Sequence, residues 1–240
     1  NFITDAGRQQ LHQNSEWNKL IFSAIPECYL KWISTLSPLY REYYKVLPGI
    51  SPKSQDDLTS LYSSSLKKAL NIVPFIPRLK DNKVIKVADA IIDKYSFGKA
   101  VGNDLLIKYV NSKEGKNYNG EAFISDNAIS LMKSYGVHVF DKDSMMSFLS
   151  NDTLLSGITI DRDKDLLNYL HDFCHNEKIE SSEIENLLPH TKIIIDDNNE
   201  LNKAEDLFFP AIDNDLDESD NKLSFINSEL YNSLSAEIKA

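Results

Sequence analysis

The stretch NIVPFIPRLKDNKVIKVADAIID, residues 71–93, occurs a second time in altered form further along this chain. Asn71–Pro74 matches Asn186–Pro189. After a slip of two residues, three polar positions recur: Asn82, Lys86 and Asp89 match Asn199, Lys203 and Asp206. A downstream piece repeats as well, because Phe123–Ser125 resembles Phe225–Asn227. A spacing above one hundred residues predicts two similar structural modules rather than a solenoid, whose period is ~20–50 residues.

The first copy has the pattern of a small hairpin. Val73–Pro77 is apolar but contains two prolines, which restrict it to a short edge strand. Lys80–Lys83 has turn chemistry and leads into a second apolar run, Val84–Val87. Helical spacing of apolar residues dominates most of the remaining chain. The sequence therefore predicts a helix-rich α+β fold with two similar small strand-hairpin modules linked by helices.

The repeat also suggests a division of the chain. We interpret residues 1–70 as a helical junction, 71–155 as the first repeat module, and 156–240 as linking helices with a second, truncated repeat module. The boundary is expected within residues 150–161. Because the chain begins with Asn1 rather than Met, we expect it to be an excerpt of a longer protein, with more chain upstream.

Composition limits the classes of function. The 240 residues are 42% hydrophobic, which is enough for a sizeable core. A net charge of −10 argues against a nucleic-acid partner, because phosphate binding needs clustered Lys and Arg. No apolar run approaches the ~20 residues of a membrane span, and two cysteines are too few for a disulfide framework. We therefore expect a cytoplasmic protein without a membrane partner.

Metal sites have two candidate positions. His171, Cys174 and His175 share one side of a predicted helix, a spacing that could present two ligands to zinc, but no fourth ligand is evident and a buried structural cysteine is favoured. The acidic run Asp213–Asp220 alternates like the start of a calcium loop and then departs from it, so a solvated loop is favoured. Asp161, Asp163 and Asp165 are interpreted as acidic residues that complement a helix N-terminus. The sequence thus predicts no metal site.

Catalytic and nucleotide-binding motifs are also missing from the sequence. No nucleophile elbow and no phosphate-binding glycine loop occurs. We therefore expect the isolated chain neither to hydrolyse ATP nor to bind it at micromolar concentration. Trp17, Trp32 and the Tyr43–Tyr44 pair could form a recognition surface, but helical apolar spacing favours a core position for them.

The N-terminal residues carry a family resemblance. They comprise Phe2–Thr4, then Gly7 and Arg8, and then Ser15–Leu20, which reads S-E-W-N-K-L. This arrangement resembles the junction in sacsin and sacsin-like proteins where the Hsp90-type (GHKL) ATP-binding lobe ends: a strand, an arginine shortly after it, and a helix with an S-x-W-N-x-x-L opening. The order of the later elements is similar to that family as well.

The resemblance implies a function for a longer parent protein. That parent would be a GHKL ATPase with a chaperone-like or scaffolding role, and this chain would be its non-catalytic middle segment. ATP and Mg would bind the upstream ATP-binding lobe, which is the implied partner of this segment together with other proteins. Arg8 would reach the terminal phosphate of that ATP, although a solvated surface arginine is the alternative. The competing class is a protein–protein interaction module without any ATPase partner domain, and an independent metal-dependent hydrolase ranks last.

Overall fold

The computed structural model describes residues 2–4, 10–50, 56–151, 153–156, 158–176, 178–210 and 223–239, without the side chains of residues 178–181, 237 and 239. Within these ranges the α-helices are α1 (Glu16–Leu36), α2 (Asp57–Ile72), α3 (Gly98–Val101), α4 (Asn103–Glu114), α5 (Ile129–Tyr135), α6 (Lys142–Leu149), α7 (Ile160–Asn176), α8 (Lys178–Leu187), α9 (Ser228–Ser233) and α10 (Ala236–Lys239). The strands are β1 (Ile76–Pro77), β2 (Val84–Ile85), β3 (Ile91–Asp93), β4 (Phe123–Ile124), β5 (His138–Phe140), β6 (Lys192–Ile195), β7 (Leu201–Lys203), β8 (Leu207–Phe208) and β9 (Ser224–Phe225). The predicted helix-rich α+β class is confirmed.

The chain packs into two compact units. The first consists of Asn1–Asp93 with Tyr118–Val139, and the second consists of Lys94–Asn117 with Phe140–Ala240. These two units are defined by packing. The segments 1–70, 71–155 and 156–240 were instead defined by the sequence repeat. The sequence-based division at residues 150–161 therefore stays a prediction. None of the helices in the described ranges is long and apolar enough to cross a membrane.

The first hairpin module lies in the first unit. Strands β1 and β2 pair antiparallel, with Ile76 opposite Ile85, and Asn82 adopts a positive φ of 59° in the turn between them. A short 3₁₀ helix, Val87–Asp89, leads into β3, which runs parallel to β4. Strand β5 pairs on the other side of β3. Asparagine tolerates the left-handed conformation better than most residues, which explains its place in this turn.

The second hairpin module lies in the second unit and repeats this order. Strands β6 and β7 pair antiparallel, Asn199 has a φ of 60°, and the 3₁₀ helix Ala204–Asp206 leads into β8. Strand β8 then runs parallel to β9, and α9 follows as α5 follows β4. The two predicted modules are therefore present, with the matched asparagines in equivalent turns.

Each module fixes its hairpin turn against its fourth strand, β4 or β9, in the same way. The backbone N–H of Leu79 donates to Phe123 O at 3.0 Å in the first, and that of Asp197 donates to Phe225 O at 3.1 Å in the second. The side chains that brace the turn differ. In the first module, Arg78 pairs with Asp81 and Glu121. In the second, the buried Asp196 carboxylate accepts the backbone N–H of Asn198 at 2.9 Å and that of Glu200 at 2.8 Å. The fold is conserved between the modules while the charge of the brace is reversed.

The core of the first unit is built on α1 and α2. Ser15 caps α1 by accepting the Asn18 N–H at 3.3 Å, and Asp56 caps α2 by accepting the Thr59 N–H at 2.8 Å. Leu30 and Ile33 of α1 are fully buried in one hydrophobic cluster with residues of α2 and of the hairpin. Tyr43 is 8% exposed and Tyr44 packs against this cluster, so their predicted core position is confirmed.

The core of the second unit contains an aromatic cluster, which we call the Phe97 cluster: Phe97, Tyr109, Phe140, Phe148 and Tyr169. The Phe97 ring stacks on Phe140 with centroids 5.6 Å apart and meets Phe148 edge-on at 5.3 Å. The Tyr169 hydroxyl donates to the carbonyl of Tyr95 at 2.9 Å, which satisfies its polar end. Such offset and edge-to-face pairs add to the apolar area that the rings bury.

Candidate functional site

An exposed row of apolar and small side chains runs along one side of α1, and we call it the α1 stripe: Trp17, Leu20, Ala24, Cys28 and Trp32. Their spacing of three and four residues places them on one face of the helix. Trp17 and Trp32 are each 50% exposed, and Leu20 is 59% exposed. Ala24 and Cys28 are exposed between them. The prediction that both tryptophans belong to the core is therefore wrong.

The opposite face of α1 explains why the α1 stripe faces solvent. That face carries the buried residues Pro26, Leu30 and Ile33, together with Asn18, which is 0% exposed. The Asn18 amide accepts the Ile3 N–H at 2.8 Å and donates to the carbonyl of His12 at 3.1 Å. These bonds set the rotation of the helix at its start, because a buried amide without partners would cost free energy. With Asn18 turned inward, Trp17 is turned outward.

Charge does not dominate the α1 stripe. Lys19 pairs with Glu16 at 2.9 Å, and Lys31 pairs with Glu27 at 2.7 Å, so the charges beside the stripe are matched within the helix. Two tryptophans and a leucine on one exposed face are unusual for a surface that meets only water, since contiguous apolar patches mark interaction sites. The stripe is therefore suited to bind an apolar surface of a protein.

The candidate cofactor residue Arg8 lies outside the described residues, and so does the acidic run Asp213–Asp220. The structure adds nothing to the prediction that Arg8 contacts the terminal phosphate of ATP. The same holds for the interpretation of the acidic run as a solvated loop. Both stay predictions.

The three possible soft-metal ligands of α7 lie together on the wall of an apolar pocket of about 320 Å³, which also includes Leu170 and Ile193. The His171 and His175 rings are 4.2 Å apart, and His175 Nδ1 lies 3.0 Å from the His171 carbonyl oxygen. Cys174 is partly buried beside them. Over the part of the chain that the structure describes, no three His, Cys, Asp or Glu side chains are grouped so that they could hold a metal ion.

The acidic residues near the start of α7 agree with their sequence interpretation, since Asp161 and Asp163 lie in the first turn of the helix, but they differ in burial. Asp161 and Asp165 are exposed near the start of the helix, whereas Asp163 is 0% exposed. Its Oδ2 accepts the Ile195 N–H of β6 at 2.9 Å, and its Oδ1 has no hydrogen-bond partner among the described residues. Burial raises the pKa of Asp163 to about 7, while the hydrogen bond from Ile195 opposes that shift. The periodicity of α7 could have indicated this, because Asp163 lies about one turn before buried Leu166 and two turns before buried Leu170.

The two cysteines should differ strongly in reactivity. Cys28 is exposed on the α1 stripe, whereas burial, with a smaller contribution from Glu185, raises the pKa of Cys174 to about 11. Because the thiolate is the nucleophile, N-ethylmaleimide at pH 8 should alkylate Cys28 at least ~10-fold faster than Cys174. Peptide mass spectrometry over a time course measures both rates in one sample. Equal rates, or a faster Cys174, would contradict the assigned exposures.

Comparisons of the chain with protein-family models, with curated proteins and with solved structures find no match.

Proposed function

We propose that this chain is the non-catalytic middle segment of a sacsin-like GHKL ATPase, and that it couples an upstream ATP-binding lobe to the rest of a protein with a chaperone-like or scaffolding role. The single observation that supports a coupling role is the α1 stripe, which offers two tryptophans and a leucine to another protein surface. The ATPase assignment rests on the resemblance of Phe2–Thr4, Arg8 and Ser15–Leu20 to the sacsin-like junction. In this proposal ATP and Mg bind the upstream lobe, and that lobe covers the α1 stripe.

The position of the α1 stripe favours this arrangement. In the sacsin-like junction that this sequence resembles, the S-x-W-N-x-x-L motif opens the helix that follows the ATP lobe. In this chain, Trp17 of that motif is exposed and Asn18 is buried. Asn18 ties the helix to Ile3, a residue of the short segment that would connect to the lobe. A lobe joined through that segment would lie near the start of the α1 stripe. The complete coding sequence provides the first test, since an upstream ATP lobe is required by the proposal.

An interaction module without an ATPase domain is the second candidate function. The α1 stripe supports it equally, because an exposed apolar helix face can bind any complementary surface. The two candidates differ in the identity of the bound surface. A coding sequence without an ATP lobe, with the α1 stripe still covered in the complete protein, would favour the second candidate.

Arg8→Ala tests the proposed contact with ATP in the complete protein. A cation near the terminal phosphate stabilises charge in the transition state, so we expect ATP turnover to fall at least ~10-fold, which corresponds to about 1.4 kcal/mol. Arg162→Ala is the matched control, because Arg162 is an ion-paired surface arginine bound to Asp104 at 3.3 Å. The measurement is steady-state ATP hydrolysis by both variants. Unchanged turnover in Arg8→Ala would leave Arg8 as a surface residue.

A further inference from the structure

A pocket of about 470 Å³ with a mixed polar and apolar wall lies in the first unit. Three segments that are distant in sequence form its wall: the connection after α1, the β1–β2 turn, and the start of the β4–α5 connection. The residues on which the argument depends are Ser37, Arg41, Arg78, Asn82 and Asn127. A volume of this size is typical of a pocket for a small molecule.

The pocket wall contains two arginines. Its lining residues include Arg41 and Arg78 but no Asp, Glu or Lys, in a protein whose net charge is −10. Arg78 is committed to the hairpin, because its guanidinium pairs with Asp81 and Glu121. No described residue forms an ion pair or hydrogen bond with the side chain of Arg41. Arg41 therefore gives the pocket a cation that is available to a ligand.

A buried hydroxyl gives a second, independent indication of a ligand. Ser37 is 3% exposed, and its Oγ has no hydrogen-bond partner among the described residues. A buried polar group without a partner costs about 1–3 kcal/mol. Ser37 lines the pocket, so a rotation of its side chain would bring this closed-off hydroxyl to an acceptor atom of a bound ligand.

Amide side chains complete the polar wall. Asn82 lies in the β1–β2 turn with a positive φ, and Asn127 follows β4. The Asn127 N–H donates to Ser125 Oγ at 3.2 Å, which orders the connection that carries it. Arginine, hydroxyl and amide donors together match an oxyanion, whose oxygens accept several hydrogen bonds at once.

We propose that this pocket binds a small molecule through its oxyanion, a carboxylate or a phosphate group. Arg41 pairs with the negative charge, the Ser37 hydroxyl donates to one of its oxygens, and the Asn82 and Asn127 amides add hydrogen bonds to the same ligand. This proposal stands without the ATPase assignment, because no step of it involves an ATP lobe.

The test uses inorganic phosphate and succinate as separate probes, which distinguishes the two sources of the oxyanion. Each is titrated into the ¹⁵N-labelled chain, and the backbone shifts of the pocket residues give the affinity. We expect saturable shifts at Ser37, Asn82 and Asn127 with at least one probe, and Arg41→Gln should weaken that binding at least ~10-fold. Arg162→Gln, the control in the second unit, should bind like the wild type. Failure of both probes to saturate, or equal weakening by the two arginine variants, would overturn the proposal.

Ser37→Ala separates binding from structure. Removing a buried hydroxyl without a partner should raise the stability of the unliganded chain, while loss of its donated hydrogen bond should weaken binding of the effective probe by about 3-fold or more. The urea midpoint and the same titration give both quantities. A variant with unchanged affinity would overturn the role of Ser37 as a ligand-binding residue.

Discussion

Phe97→Ala should lower the free energy of unfolding of the second unit by about 3–5 kcal/mol. Phe97 is fully buried at the centre of the Phe97 cluster, where its ring contacts Phe140, Phe148 and Tyr169 with centroids 5.6, 5.3 and 5.5 Å away. Truncation removes the apolar area of the ring and leaves a cavity that the neighbouring rings cannot fill without losing their own contacts.

Urea unfolding followed by circular dichroism measures this loss. Phe209→Ala is the matched control, because Phe209 is 60% exposed and its ring contacts only Tyr231 among the described aromatic residues, at 5.6 Å. The control should lose less than ~1 kcal/mol, as is usual for exposed positions. Comparable losses in the two variants would contradict the assignment of Phe97 to the core.

Asp163 should make the chain less stable as the pH rises from about 4 to about 7. Its folded pKa is raised to about 7 by burial, above the ~3.9 of an unfolded aspartate. Between these values the folded state keeps a proton that the unfolded state releases, so the free energy of unfolding falls as the pH rises. The stability that protonated Asp163 contributes is fully present below the unfolded pKa, and it is lost as the pH rises through the folded pKa. A shift of about 3 units corresponds to about 4 kcal/mol.

Asp163→Asn isolates this contribution. Asparagine still offers an oxygen to the Ile195 N–H but does not titrate, so the stability of the variant relative to wild type should increase steadily from pH 4 to pH 7.5. Urea unfolding of both proteins at several pH values measures the difference. Asp165→Asn, at an exposed position of the same helix, is the control substitution. A constant difference for Asp163→Asn would contradict a raised pKa.

The repeated hairpin could be predicted from the sequence because its turns depend on local chemistry. Asn82 and Asn199 occupy equivalent left-handed positions. The strand after each 3₁₀ helix pairs in the same register with a parallel strand: Ile91 lies opposite Phe123 of β4, and Phe208 lies opposite Phe225 of β9. Local turn and strand signals of this kind do not depend on distant contacts. The brace through Arg78 is less visible in the sequence because one of its partners, Glu121, is distant along the chain, whereas Asp196 braces its turn through the nearby Asn198 and Glu200.

The orientation of α1 could not be predicted in the same way. Both sides of this helix carry apolar residues, so spacing alone does not say which side meets the core. Which side of α1 faces the core depends on Asn18. This polar residue is buried because Ile3 and His12, outside the helix, form hydrogen bonds with its side-chain amide. The core position predicted for Trp17 and Trp32 followed from their helical apolar spacing and was wrong.

The oxyanion pocket was not visible for a related reason. Ser37 and Arg41 follow α1 whereas Asn127 follows β4, and each is unremarkable in its own stretch of sequence. Within the described ranges, the Ser37 hydroxyl and the Arg41 side chain have no hydrogen-bond or ion-pair partner, which only the folded chain reveals. Similarly, residues 94–117 and 118–139 belong to different units although they adjoin in sequence, which no local pattern indicates.

The central claim is that an upstream ATP lobe covers the α1 stripe, and the alkylation rate of Cys28 tests it most directly. Cys28 lies between the two tryptophans of the stripe and is exposed in this chain, while Cys174 in the second unit serves as an internal control. Rates are measured by peptide mass spectrometry on the complete protein and on the 240-residue chain under identical conditions. The account predicts that Cys28 reacts at least ~10-fold more slowly in the complete protein, with the Cys174 rate unchanged, because a covered thiol is inaccessible to the reagent. Equal Cys28 rates in the two proteins would contradict it.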